Sequence, residues 1–174
     1  DLVLERRQHP LSSLTPEIGI GNQPIDGGHY LFTPEEKREF LKMEPQARPW
    51  FRRWIGSEEF LNGVERWCLW LGDCPPSELR KLPESSKRVK SVREFREASK
   101  RAATRKLAAT PTRFLVENIP SKSYLVIPEV SSERRQFIPL GWEKPTTLAS
   151  NLVKIASTAK VYHFGVLHST MHMA

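Results

Sequence analysis

The stretch Ser123–Gly141, SYLVIPEVSSERRQFIPLG, decides how this chain is read. Tyr124–Val130 is rich in β-branched and aromatic residues, and Phe137–Leu140 is a second short apolar run, so the pattern predicts strand, turn, strand. Between the two lies Ser131-Ser132-Glu133-Arg134-Arg135-Gln136, a polar tip without Gly or Pro. It carries an acceptor-only carboxylate, two guanidinium forks and an amide. Those are the side chains that read base edges: Arg to guanine, Glu to cytosine, Gln to adenine. The same composition suits a solvated hairpin loop. The rest of the chain has to decide between them.

Charge weighs in first. The 174 residues carry a formal net charge of +7. Between Ser85 and Lys106 stand nine basic residues against two acidic ones, an excess that equals the whole net charge. A concentrated basic stripe is the footprint of a polyanionic partner, and the carboxylates that would make it an ordinary solvated face are mostly missing. Arg93, Arg96, Arg105 and Lys106 are therefore expected to contact the phosphate backbone of a nucleic acid. The periodicity predicts a helix over 86–100, with Val89, Val92 and Phe95 as its apolar stripe.

The remaining segments suit an α+β fold, a single domain with a mainly antiparallel sheet and flanking helices. Thr33-Pro34-Glu35-Glu36 is a helix start with cap, first-turn proline and capping box, and the helix should end near Met43. Pro49–Phe60 interleaves aromatics with arginines and reads as a satellite core or a stacking surface. Arg66–Leu71, His29–Phe32, Arg113–Ile119 and Leu152–Ala156 read as strands. Pro75–Leu82 opens with a brief helix. Ser157 or Thr158 should cap a last helix with Val161, Phe164, Leu167 and Met171 on one side. The expected division is a flank over 1–18, the main domain over 19–156 and the closing helix over 157–174.

Catalytic parts are not evident. Gly19–Gly28 is dense in turn formers, but Pro24 stands where a third phosphate-loop glycine belongs; a structured loop with Asn22 and Gln23 at its tip is the better reading. His168 and His172 have the i, i+4 spacing of metal ligands, yet no carboxylate accompanies them, and packing or interdomain contact is the expectation. No Ser or Cys nucleophile stands in a recognisable setting, and no acidic pair suits magnesium. The two cysteines, Cys68 and Cys74, are too few for a disulfide framework, which predicts reduced thiols in the cytoplasm. No apolar run approaches the ~20 residues of a membrane span. The chain opens on Asp1 without an initiator Met and reads as a piece of a longer protein.

Five segments in this order carry a resemblance: Gly21–Gly28, Phe51–Phe60, Arg66–Leu71, Pro128–Arg135 and Tyr162–Ala174. They resemble the MmeI-like bacterial DNA methyltransferases, single-chain enzymes that often join adenine-N6 methylation to restriction in the type IIG manner. The resemblance implies that this chain is a target recognition domain for double-stranded DNA, with its flanks reaching toward the methyltransferase domain of the same polypeptide. It implies S-adenosylmethionine as cofactor of the parent enzyme and none in this segment, because the family's glycine motif and Asn/Asp-Pro-Pro-aromatic tetrapeptide are missing here. It further implies base reading near the end of the basic helix, at Lys100 and Arg101, and around the turn, at Glu133, Arg134 and Arg135. Glu133 and Arg135 are expected to face bases, with Arg134 holding the tip or a phosphate. The alternative is an accessory domain that binds RNA or DNA without regard to sequence.

Overall fold

The computed structural model describes residues 15–132 and 134–169. It confirms the α+β expectation as two four-stranded sheets with helices around them. One sheet has the order β1-β8-β5-β6, from Gly19–Ile20, Val153–Ala156, Tyr124–Pro128 and Gly141–Glu143. All its pairings are antiparallel. The other has the order β2-β4-β3-β7, from Leu31–Phe32, Trp67–Leu69, Phe51–Ile55 and Thr147–Ala149. Here only the β3–β7 pairing is parallel. The helices are α1 (Pro34–Met43), α2 (Ser57–Asn62), α3 (Pro76–Leu79), α4 (Pro83–Glu97), α5 (Ala102–Lys106) and α6 (Val161–Leu167).

Local chemistry explains the clearest element. At α1 the Glu36 amide donates to Thr33 Oγ1 at 3.2 Å, and the Thr33 amide donates to Glu36 Oε2 at 2.8 Å. Two orphan donors of the first turn are thereby satisfied, with Pro34 placed where its missing N–H costs nothing. The apolar side of α1 delivers Phe40 to an edge-to-face triad with Phe32 and Phe51, whose centroids lie 5.1–5.7 Å apart. That triad, Trp54, Trp70, Leu148 and Val92 share the larger core. A smaller core of Ile55, Tyr124, Val126, Ala149, Val153 and Ile155 joins the two sheets.

The seam between the sheets depends on residues 21–22. The Asn22 amide donates to Ala149 O at 2.6 Å, and its side-chain Nδ2 donates to the same carbonyl at 2.9 Å. The Asn118 amide donates back to Asn22 Oδ1 at 2.9 Å. A Cβ on Gly21 would lie 2.2 Å from Ser150 O and 2.5 Å from Ala149 O, so no larger residue fits. Asn22 is thus a buried staple between the sheets rather than the tip of a structured loop. Gly21 therefore serves close backbone packing.

Four further expectations are corrected. Phe137–Leu140 is not a strand: the partner of Tyr124–Val126 is Gly141–Glu143, and residues 129–132 and 134–140 belong to no strand or helix. Arg113–Ile119 joins none of these strands: it makes one bridge, between Val116 and Gln23, and its other backbone groups include the Asn118 amide on Asn22 Oδ1 and the Arg113 carbonyl under Arg96. The last helix starts after Lys160, whose amide donates to His163 Nδ1 at 2.9 Å, so neither Ser157 nor Thr158 is the cap. The basic helix spans Pro83–Glu97; Val92 is buried and Val89 packs on the core as expected, but the third member of the stripe is not inward. Phe95 is 44% exposed, while Arg96 is 0% exposed. Met171 and His172, with residues 1–14, lie outside the described residues.

Candidate nucleic-acid interface

The first candidate surface is the corner where α4 turns into α5. Its geometry is set by Arg96, whose five N–H groups all donate to main-chain carbonyls. Nε reaches Ile25 O at 2.9 Å; Nη1 reaches Leu107 O at 2.9 Å and Thr110 O at 3.0 Å; Nη2 reaches Pro24 O and Arg113 O, both at 2.8 Å. One planar fork thereby ties α4 to the 24–25 loop and to the 107–113 return. Burial lowers its proton affinity, offset in part by Tyr30 and Asp26. The expected phosphate contact by Arg96 is accordingly wrong: no donor is left for a ligand. The sequence signal that could have found it is the register, because Arg96 falls one turn after the buried Val92.

Other cations of the stripe divide by what they touch. Lys87 pairs with Glu84 and Lys90 with Glu94. Arg88 stacks over the Phe32 ring at 4.8 Å. Arg105 Nη1 donates to Ser99 O and Lys100 O, both at 2.9 Å, and so holds the turn between the helices while its side chain stays exposed. Arg93, Lys100, Arg101 and Lys106 are exposed, and their side chains have no ion pair among the described residues. A row of solvated cations on a braced turn can meet a polyanion without first breaking internal pairs.

The second candidate is the 129–140 loop. It is held at both arms. Glu129 pairs with Lys154 on the neighbouring β8. On the return arm, the His168 ring lies between Phe137, at 4.8 Å and 28°, and Phe164, at 5.2 Å and 21°. His168 Nδ1 also lies 3.0 Å from Ile138 O. The closing helix thus props the loop, a packing role for His168. At the tip, the Arg134 amide donates to Ser132 Oγ at 3.2 Å and the Arg135 amide to Ser132 O at 3.0 Å. Arg134 and Arg135 are exposed; Glu133 lies outside the described residues. The α4–α5 corner and the loop belong to different parts of the fold, the first packed on the larger core and the second on the β1-β8-β5-β6 sheet. Among the described residues, no cluster of His, Cys, Asp and Glu could hold a metal ion.

The family model described as "MmeI, target recognition domain" matches residues 1–174. The chain belongs to the MmeI target recognition domain family. A solved structure of the Type IIL restriction-modification enzyme MmeI in complex with DNA is similar at a TM-score of 0.92 and 44% identity, covering 99% of this chain and 23% of that one. DNA methyltransferase A of Bacillus subtilis (strain 168) is 37% identical over 173 residues, 99% of this chain and 20% of the relative. The chain therefore spans about a fifth of the length of the proteins it matches. Among the described residues, no helix is long and apolar enough to cross a membrane.

Proposed function

We propose that this chain reads the target sequence in double-stranded DNA for a bacterial DNA methyltransferase or restriction-modification enzyme of which it is one domain. The observation that carries this reading is the likeness of the whole chain, at a TM-score of 0.92, to a domain of an enzyme solved with DNA. Unpaired cations on a braced corner and an exposed arginine pair on a propped loop are the chemistry such a domain needs. Lys100, Arg101, Glu133, Arg134 and Arg135 are assigned to bases, and Arg93, Arg105 and Lys106 to phosphates. A domain that binds nucleic acid without sequence preference fits the family less well.

The chemistry belongs to the rest of the polypeptide: methyl transfer to adenine N6 from S-adenosylmethionine, in an enzyme of the type IIG kind working in the cytoplasm. This segment supplies position and choice of site, and packs against the methyltransferase domain. The test is made in the full-length protein. Exchange of the charges at the tip, Glu133→Lys with Arg135→Asp, should change or abolish the methylated sequence, since a base contact is worth about 1–3 kcal/mol of discrimination. An unchanged set of methylated sites at full activity would rule out the turn as a base reader. Specific binding should also persist in excess random duplex, which purely electrostatic binding does not.

A further inference from the structure

Trp142 stands on β6, the outermost strand of its sheet, and is 39% exposed. An exposed tryptophan on a sheet edge invites unwanted association unless a partner covers it. Beside it opens a groove of about 410 Å³ between the two sheets, lined by Arg52, Arg53, Trp67, Trp142, Lys144 and one carboxylate, Glu143, among others. Arg53 lies opposite Trp67 on one side and Thr147 on the other, so it projects from the middle of its sheet. Arg52 is engaged by Asp73 at 3.4 Å. Arg53 and Lys144 are exposed, and their side chains make no ion pair or hydrogen bond among the described residues. On the far side of Trp67, the Lys37 ammonium stands over the indole, and Lys37 and Arg48 line a second hollow of about 510 Å³. Burial lowers the proton affinity of Lys37; the Glu65 carboxylate partly offsets this, and Arg48 adds to it. The two hollows share Trp67 and make an aromatic band in which cations outnumber the two carboxylates, Glu65 and Glu143, well apart in sequence from the α4–α5 corner.

We infer that this groove holds the DNA backbone flanking the recognised bases, with Arg53 and Lys144 on phosphates and Trp142 packed on the adjoining sugar or base. The inference rests on the DNA-recognition reading and adds a positioning surface to it. Charge decides the occupant. Even with Glu143 in the lining, the cations outnumber the carboxylates, and a protein surface would have to desolvate Arg53 and Lys144, which is costly without carboxylates of its own to match them. A phosphate accepts two parallel bonds from a guanidinium and leaves the ammonium partly in water. The indole then gains a flat partner, as aromatic platforms in nucleic-acid grooves do.

The experiment uses the full-length protein and two duplexes, one with the methylated site and one of random sequence, titrated across a salt series. Arg53→Gln with Lys144→Gln should weaken binding to both duplexes by a similar factor, on the order of tenfold or more, and flatten the salt slope by about two units, since each lost phosphate contact removes about 0.9. The methylated sequence should not change. Trp142→Ala should weaken both duplexes equally at an unaltered slope. Should the double variant fold poorly, Lys144→Gln alone, in an exposed turn, should lower the slope by about one. Unchanged affinity and slope would overturn the inference, as would an altered target sequence. Intact DNA binding with a lowered melting temperature would overturn it too, because another part of the polypeptide would then cover the groove. Loss of site preference in the unmodified protein would instead undercut the DNA-recognition reading itself.

Discussion

Glu44 at the end of α1 caps α4 through Ser85: its Oε1 accepts from the Ser85 hydroxyl at 2.5 Å and from the Ser85 amide at 3.1 Å. Its Oε2 accepts from the Glu84 amide at 2.7 Å. A residue forty positions away thus does what a local Ser or Asp does at most helix starts, and it sets the direction in which the basic helix leaves the core. Glu44→Ala strands three donors in a buried site. The expected loss is about 2–4 kcal/mol, from the unsatisfied donors and the lost cap. Urea denaturation of the variant checks it; a midpoint within error of the parent's would show that water replaces the carboxylate.

Arg96→Lys conserves charge and loses the fork. A lysine has three donors on one nitrogen and cannot reach carbonyls spread around a plane. At least two of the five carbonyls are left without a donor, and the expected destabilisation is about 3 kcal/mol or more. Because the α5 corner hangs on the same bonds, amides of residues 102–110 should exchange hydrogen faster than the rest of the domain. Uniform protection would contradict the anchoring role.

His168→Ala removes the ring between Phe137 and Phe164. The 134–140 arm should then lose protection against proteolysis while Tyr124–Pro128, buried in its sheet, keeps its own. In the full-length protein, discrimination against sites with one altered base should weaken, with methylation of the correct site less affected. Equal loss at all sites would mean that the helix supports the domain as a whole.

Alkaline pH should unfold the domain early. Burial raises the pKa of the Tyr30 and Tyr124 hydroxyls, which donate to Pro111 O and Thr147 O, and of the buried Cys68 thiol. Each is neutral when protonated, so the unfolded chain releases these protons at lower pH than the folded one. Their stabilising contribution is complete below the unfolded-state values, about 8.5 for the thiol and about 10 for the phenols, and is lost as pH climbs from there toward the raised folded values. The melting temperature should therefore fall between about pH 8.5 and 11. In the same range a thiol reagent should modify Cys74 before Cys68. A flat profile, or equal labelling, would contradict the burial of these groups.

Elements whose signals are local were legible in the sequence. The Thr33–Glu36 capping box, the strand after Trp67 and the helix over the basic stripe all follow from neighbours within four positions. Contacts that cross the chain were not. Asn22 looks like a turn residue because its partners, Ala149 and Asn118, are about a hundred residues away. Arg96 looks like one more cation because nothing nearby announces five free carbonyls. The strand after the long loop was misplaced by four residues for a related reason. Phe137 is apolar to stack on His168 and not to fill a sheet, and Gly141, where β6 begins, is small because the Phe60 ring would lie 2.7 Å from any Cβ there.

The bonds of Arg96 have an evolutionary corollary. All five acceptors are peptide carbonyls, and every residue type presents one. The side chains of Ile25, Leu107, Thr110 and Arg113 can therefore be exchanged without altering what the guanidinium sees, provided the chain keeps its path. The neighbouring surface at Lys100 and Arg101 inherits the same licence. A domain fastened this way can try new amino acids on its outer face, and so new preferences for what it meets there, while its frame stays fixed.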